Sequence, residues 1–549
     1  MENQRIILFF VLSFGLLMIW QGWQQPEQKP RAGGPDSSIS GGAQPAADVP
    51  DVGDVGAGTT ATPAAAVETI AAGQLKSGQR VRVETDLFDA EIDTGGGDLR
   101  VVALRKYPVA VERPKVPFRL MEDDKLRVFI AQSGLISKDA APDHHAMFTV
   151  DQTEYRMADG QTELSVPLRW RSATGIEVTK VYTFRRDSYV IGLEQQVANK
   201  GSSVWTGHQY TQFQRTTPGD DESSRFMYTY TGGVIYSPEK KYEKISLDDM
   251  ESADLNRSIQ DGWAAMIQHY FLGAWIPNAG EVDKYYTKAP KGRPFVIGMI
   301  SPELSVVPGE EKRFDRRLYV GPKDQDRMAK VTEGLRLTVD YGVLTVLAEP
   351  IFWLLKHIHS FVGNWGWSIV ILTLLIKLAF FKLSATSYRS MANMRKMTPK
   401  ITAIRERYGD DRQRMSQAMM ELYKTEKINP LGGCLPIVVQ IPVFIALYWV
   451  LLESVELRQA HFILWIQDMS AKDPYYVLPV LMGITMFIQQ KLNPPPPDPV
   501  QAKVMMSLPF IFTAFFAFFP SGLVIYWVTN STLSILQQWY ITRKIERAA

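Results

Sequence analysis

A single cation, Lys377, stands inside a run that otherwise carries no charge: Asn364-Trp-Gly-Trp-Ser-Ile-Val-Ile-Leu-Thr-Leu-Leu-Ile-Lys377-Leu-Ala-Phe-Phe381. Such a run reads as a membrane-spanning helix, with Trp365 and Trp367 as anchors at its outer interface. An ionisable group at the centre of such a helix costs about 2.5–3.5 kcal/mol on insertion scales and normally faces protein or water. The chemistry on offer is electrostatic: an ammonium that attracts carboxylates where water screens little. Thr373, four residues earlier, and Ser384, seven later, fall on roughly the same helical face. The alternative is snorkelling. Lys377 lies roughly 20 Å along the axis from Asn364, leaving about 10 Å to the far interface of a core about 30 Å thick, a distance a lysine largely covers.

The neighbouring apolar runs decide between these readings. Beside Thr373 and Lys377 they carry Gln440, Thr485, Gln489, Gln490, Ser507, Thr513, Thr529, Asn530, Ser531, Thr532, Ser534, Gln537 and Gln538. Any one hydroxyl or amide serves to glue helices together. Fifteen polar positions with one cation and no buried acid fit a hydrated groove better.

The elements that position these residues follow from the distribution of charge. Over 549 residues the net charge is only +2, but residues 1–340 are net −6 and residues 341–549 net +8. Charge-free stretches of 25, 17 and 39 residues follow Lys427, Asp473 and Lys503. The last is too long for one crossing, and Pro520-Ser-Gly522 breaks it into a hairpin. The spans expected are 364–383, 431–452, 474–490, 504–519 and one after 522; a charge-free run from Ile6 to Trp20 with no small-x-small cleavage pattern adds an uncleaved anchor. Residues 382–430 are net +6 and residues 453–473 net −2, which places both termini and the basic segment in the cytoplasm.

The boundaries expected are an anchor at 1–23, a disordered Gly/Ala/Pro linker at 24–74, a periplasmic β-domain at 75–340, an interfacial amphipathic helix at 341–362, and a five-span core at 363–545 containing a helical hairpin at 384–430. In the hairpin Thr398 and Pro399 read as N-cap and first turn, Gly409-Asp-Asp411 as the turn, and Asn429-Pro430 as the stop. Met391, Met394, Arg395, Met415 and Met419 are its candidate contact residues, flexible methionines suiting varied apolar partners. The β-domain reading rests on period-two segments such as 81–85, 99–104, 178–184 and 189–197 separated by Gly- and Asn-rich turns, and points to a large antiparallel sandwich.

No covalent chemistry is legible. The chain has one cysteine, Cys434, and its histidines, among them His144, His145, His208 and His269, have no metal-ligand spacing. No catalytic, metal or cofactor site is expected. A transporter or channel, and a membrane-anchored periplasmic carbohydrate-active protein, are the alternative classes.

Asn429-Pro-Leu-Gly-Gly-Cys-Leu-Pro436, Gln440-Ile-Pro-Val-Phe-Ile-Ala-Leu-Tyr448, Val455-Glu-Leu-Arg458, Asp473-Pro-Tyr-Tyr476-Val-Leu-Pro479 and Phe519-Pro-Ser-Gly-Leu-Val524 resemble the YidC family of membrane protein insertases, in its long Gram-negative form. The resemblance implies an α+β membrane protein: an N-terminal anchor helix, a large periplasmic antiparallel β-supersandwich similar to sugar-mutarotase folds, and a five-helix transmembrane insertase core with a cytoplasmic helical hairpin. It implies a groove open to cytoplasm and lipid, with Lys377, Thr373, Gln440, Thr513, Tyr526, Trp527 and Asn530 as candidate lining. The partners implied are nascent membrane proteins, the Sec translocon, the ribosome, the signal-recognition receptor and the lipid bilayer. Lys377 stands where well-known members carry arginine, whose planar fork lysine lacks. In the mechanism expected, Lys377 attracts acidic residues of an entering flank, Thr373 and Asn530 hydrate it, and the apolar segment leaves along a rim near Tyr526 and Trp527.

Overall fold

The computed structural model describes residues 77–547, apart from 125–126, 218–228, 290–293, 410, 427–434 and 494–498. The expected anchor and linker lie outside the described residues.

Alternation decides the first half. Along Ile176–Arg185 and Val190–Asn199 every second residue is buried, the pattern of strands with one face on a core. These strands belong to an eight-stranded sheet, stacked on an eleven-stranded one centred on Val128–Ser137 and Trp205–Arg215, which pair antiparallel from Phe129↔Arg215 to Gly207↔Ser137. Among the described residues only Arg80–Glu84 and Glu154–Arg156 pair in parallel. Phe88, Tyr182, Phe213, Trp263, Trp275 and Tyr319 fill the space between the sheets, so this half is a β-sandwich. The inward face of Ile176–Arg185 also carries Lys180. Its ammonium is fully buried and satisfied by the carbonyls of Gly96 (2.6 Å) and Ser133 (2.7 Å), as a buried charge requires.

The second half is helical. In chain order the helices are α1 (Thr345–Val362), α2 (Trp365–Ala379), α3 (Phe381–Lys396), α4 (Thr398–Tyr408), α5 (Arg412–Thr425), α6 (Leu435–Glu453), α7 (Val477–Leu492), α8 (Pro499–Phe516) and α9 (Ser521–Arg547). Gly363, at φ 68°, ends α1, and the Asn364 side chain caps α2 by accepting from the Trp367 amide. No single described helix is both long and apolar enough to cross a bilayer; α2 with 381–394 meets the length and composition as a pair bent by 67°. α7 has 16 residues and α8 has 18, roughly 24 and 27 Å against a hydrocarbon core about 30 Å thick.

Three expectations change. The span expected over 364–383 stops at Ala379 and turns at Phe380, because Ala385, Tyr388 and Met391 on α3 pack against Ile541 of α9 and draw the chain off the axis. Residues 384–396 therefore belong to α3, and the antiparallel pair is α4 with α5. Met397, not Thr398, occupies the N-cap position of α4, and α5 ends at Thr425; the expected stop at Asn429-Pro430 lies outside the described residues. Of the expected turn Gly409-Asp-Asp411, Asp410 lies outside the described residues, and Asp411 caps α5 by accepting from the amides of Gln413 and Arg414.

The two halves share one continuous apolar core from Val81 to Tyr526. The end of α6 and the segment after it contribute to the junction. Arg458 donates to the carbonyl of Pro108 at 2.8 Å and lies over the rings of Phe118 and Phe271. Gln459 donates to the same carbonyl at 2.9 Å. His269 is bonded through Nε2 to the Leu452 carbonyl at 2.8 Å, and the buried pair Lys323 and Glu453 approaches to 4.0 Å. His144 is likewise bonded to the Tyr210 hydroxyl and His208 to the Ser301 carbonyl.

Candidate functional site

The site is organised by α9. Tyr526, Asn530, Ser534 and Gln538 recur every fourth residue and so lie along one face. α9 packs against α7, α2, α3 and α6. Lys377 Nζ donates to Ser534 Oγ at 2.7 Å, and Ser534 Oγ donates to the Asn530 carbonyl at 2.7 Å. The Asn530 side-chain oxygen accepts from Gln440 Nε2, which also lies 3.4 Å from the Tyr526 hydroxyl. Gln538 extends the ladder by donating to Asn493 at 3.0 Å. A cation, two carboxamides and two hydroxyls from three helices thus form one connected seam.

Lys377 points into the bundle rather than along the helix to an interface, and it makes no ion pair among the described residues. Among the described residues its side-chain partner is the neutral hydroxyl of Ser534. Beside it a cleft of about 20 Å³ opens between Phe380 and Ser384 on one side and Val439 and Gln440 on the other. That volume holds about one water, so the seam is polar but narrow. Ser384 and Ser387 are buried at its α3 end.

The remaining expected lining residues divide. Thr373 is 1% exposed and spends its hydroxyl on the Ile369 carbonyl of its own helix at 2.6 Å. Thr513 bonds the Pro509 carbonyl at 2.7 Å and faces Gly483, where a Cβ would come within 2.0 Å of its Oγ1. It belongs to the α7–α8 crossing, away from the seam. Trp527 is half-buried, edge-on to Phe444 at 4.8 Å. Tyr526 is 1% exposed; its alignment with Asn530 turns it inward, so of the two expected rim aromatics only Trp527 reaches the surface.

The expected contact residues of the basic segment fall on two elements. Met391, Met394 and Arg395 lie on α3, where Met391 packs against α9, while Met415 and Met419 are half-buried on α5. Reading residue types alone missed Ser534 as the partner of Lys377. The signal was present in the four-residue spacing of the α9 stripe.

A two-sheet sandwich continuous with a bundle of apolar helices, and an inward lysine on a polar seam, define a membrane protein with a large extramembrane domain and a charged interior wall. The family described as YidC periplasmic domain matches residues 80–354, and the family described as 60Kd inner membrane protein matches residues 357–548. The chain is 53% identical over 548 residues to the membrane protein insertase YidC of Alkalilimnicola ehrlichii, covering 100% of this chain and 96% of that relative. It is 52% identical over 555 residues to the same-named protein of Methylococcus capsulatus, covering 100% and 99%. Among solved structures it is similar to an active YidC insertase with the first transmembrane domain resolved, at TM-score 0.41 and 17% identity over 85% of this chain and 93% of the other; a superposition so loose carries no argument. The chain belongs to the YidC family of inner-membrane protein insertases.

Proposed function

We propose that this protein inserts integral membrane proteins into the bacterial inner membrane and assists their folding, and that the seam around Lys377 is where the client's hydrophilic flank enters. The observation that carries this reading is the Lys377–Ser534 contact: a cation facing the bundle interior with a neutral partner. An acidic flank in bare hydrocarbon costs several kcal/mol per unsatisfied group. Lys377 attracts it, Gln440 and Asn530 offer hydrogen bonds, and short helices thin the bilayer to be crossed. The apolar segment then passes Trp527 into lipid. The work is non-covalent, so no catalytic residue or cofactor is assigned.

The topology proposed has six crossings, with both termini and residues 384–430 in the cytoplasm and the sandwich in the periplasm. The loop charges support it, as does the packing of the sandwich against the segment after α6. Clients arrive as nascent chains, from the ribosome directly, through the signal-recognition receptor, or from the Sec translocon.

The test is insertion into reconstituted vesicles. Lys377→Ala lowers insertion of acidic-flanked clients several-fold and leaves neutral-flanked clients near the wild-type level, while Lys377→Arg retains both. Undiminished insertion of acidic-flanked clients by Lys377→Ala overturns the attraction step.

A further inference from the structure

The loop that joins α6 to α7 turns its acids inward and its apolar side chains outward. Between Gln459 and Tyr476 the acids are Asp468 and Asp473. Asp473, 1% exposed, accepts from Trp465 Nε1 at 3.0 Å and from the amides of Tyr475 and Leu478 at 3.0 and 2.7 Å. Asp468, half-buried, accepts from the amides of Gln459 and Ser470 at 3.0 and 2.8 Å and from the Ser470 hydroxyl at 2.7 Å. Exposed instead are Leu464 (72%), Ile463, Tyr475 and Tyr476, beside His461 and the cation Lys472. Grouped apolar side chains on a surface mark a site of contact. A patch whose carboxylates are turned away and whose lysine is free to solvent suits the anionic surface of a bilayer. Tyrosines and aliphatic side chains together suit the boundary beneath its headgroups.

The tip of this loop is rigidly held. The Phe462 amide donates to the Ile466 carbonyl at 3.0 Å and the Met469 amide to the Ala460 carbonyl at 3.1 Å, with Phe462, Ile466 and Met469 buried beneath. Between them Leu464 takes φ 53°, a left-handed conformation that few residues other than glycine adopt. The carbonyls of Ile463 and Leu464 accept from the Ile466 amide at 3.1 Å and from Gln467 Nε2 at 3.0 Å. Irregular backbone facing lipid is excluded from the hydrocarbon interior, so a shallow depth is the one that fits. The level follows from α2. The Asn364 amide donates to the Phe462 carbonyl at 3.0 Å, and the Phe462 ring lies edge-on to the exposed Trp367 with centroids 5.5 Å apart. The tip therefore stands beside the first turn of α2, which Trp365 and Trp367 mark as an interfacial end.

We propose that Ile463 and Leu464 enter the outer leaflet of the bilayer at the boundary between headgroups and acyl chains, and so pin the outer ends of α2 and α6 at that depth. The proposal rests on the topology above. The test is the accessibility of nitroxide labels to oxygen and to a water-soluble nickel chelate. The full chain with Cys434→Ser is reconstituted in vesicles of phosphatidylethanolamine and phosphatidylglycerol. Labels are placed singly at Leu464→Cys, at Phe510→Cys on α8, and at Glu310→Cys; Phe510 and Glu310 are both exposed, and Glu310 precedes the strand Glu311–Pro322 at its end away from the junction. The oxygen-to-nickel ratio at 464 is expected to exceed that at 310 by about threefold and to fall below that at 510. A ratio at 464 equal to that at 310, with 510 oxygen-rich, overturns the tip and leaves the topology standing. Shielding of 464 from both reagents also overturns it, since a protein segment then covers the tip. A nickel-rich label at 510 overturns the topology and the tip with it.

Discussion

Ser534 Oγ accepts from Lys377 and donates to the carbonyl of Asn530, so one hydroxyl fixes the ammonium and ties it to the turn that also presents the Asn530 side chain to Gln440. Ser534→Ala removes that acceptor from a half-buried ammonium, a change of about 1–3 kcal/mol. Insertion of acidic-flanked clients is expected to fall a few-fold, and Ser534→Thr to restore it. Wild-type insertion by Ser534→Ala would show that the contact does not position Lys377.

Gly366 sets how closely α2 meets the segment after α6. A Cβ there would lie 2.0 Å from the Phe462 ring, and the Asn364 amide clamps the same segment by donating to the Phe462 carbonyl at 3.0 Å. Gly366→Ala is expected to cost about 1–3 kcal/mol through overpacking. The measurement is the melting temperature in detergent, with partial recovery in Gly366→Ala/Phe462→Leu, since touching residues couple.

These relationships show what was legible in the sequence. Strands such as Ile176–Arg185 were readable because burial on one face writes a period of two, and helices α6 to α9 because hydrocarbon excludes charge over a run. Lys377 was readable for the same reason, as the exception to such a run. The turn at Phe380 was not, because it has neither proline nor glycine and follows from packing of α3 on α9. Nor was the turning of Thr373 and Thr513 onto their own helices, since a hydroxyl bonded to the carbonyl four residues back has the same sequence as one facing a groove. The junction was least legible of all: Arg458 and Pro108 are 350 residues apart.

Arg458 makes that junction specific. It combines hydrogen bonds to the Pro108 and Val109 carbonyls with stacking on Phe118 and Phe271. Arg458→Gln loses the planar cation and is expected to weaken local docking by about 1.5–3 kcal/mol. Amide exchange should accelerate around 104–109 and 459–462 and stay unchanged in the distant strand Val190–Asn199. Unchanged exchange at both places would show that docking does not depend on this residue.

Glu456 gives the junction a dependence on pH. Both carboxylate oxygens are buried with no hydrogen-bond partner on another residue among the described residues, and burial, opposed by the residue's own backbone amide and reinforced by Asp324, pushes its carboxyl up to about 7. The folded state therefore holds this proton more tightly than the unfolded chain, whose carboxyl titrates near 4.5. Between those values the folded state binds more protons, so the group's contribution to stability falls as pH rises from about 4.5 to about 7 and stays reduced above. His269 bends the wild-type curve the opposite way: burial lowers it to about 4, so its contribution falls as pH drops below about 6.5. The difference between Glu456→Gln and wild type isolates the carboxyl. That difference is expected to be near zero at pH 4.5 and to reach about 1–3 kcal/mol in favour of the variant at pH 8, read as a raised melting temperature of the full chain in detergent. A pH-independent difference would mean that Glu456 is charged and solvated at the junction.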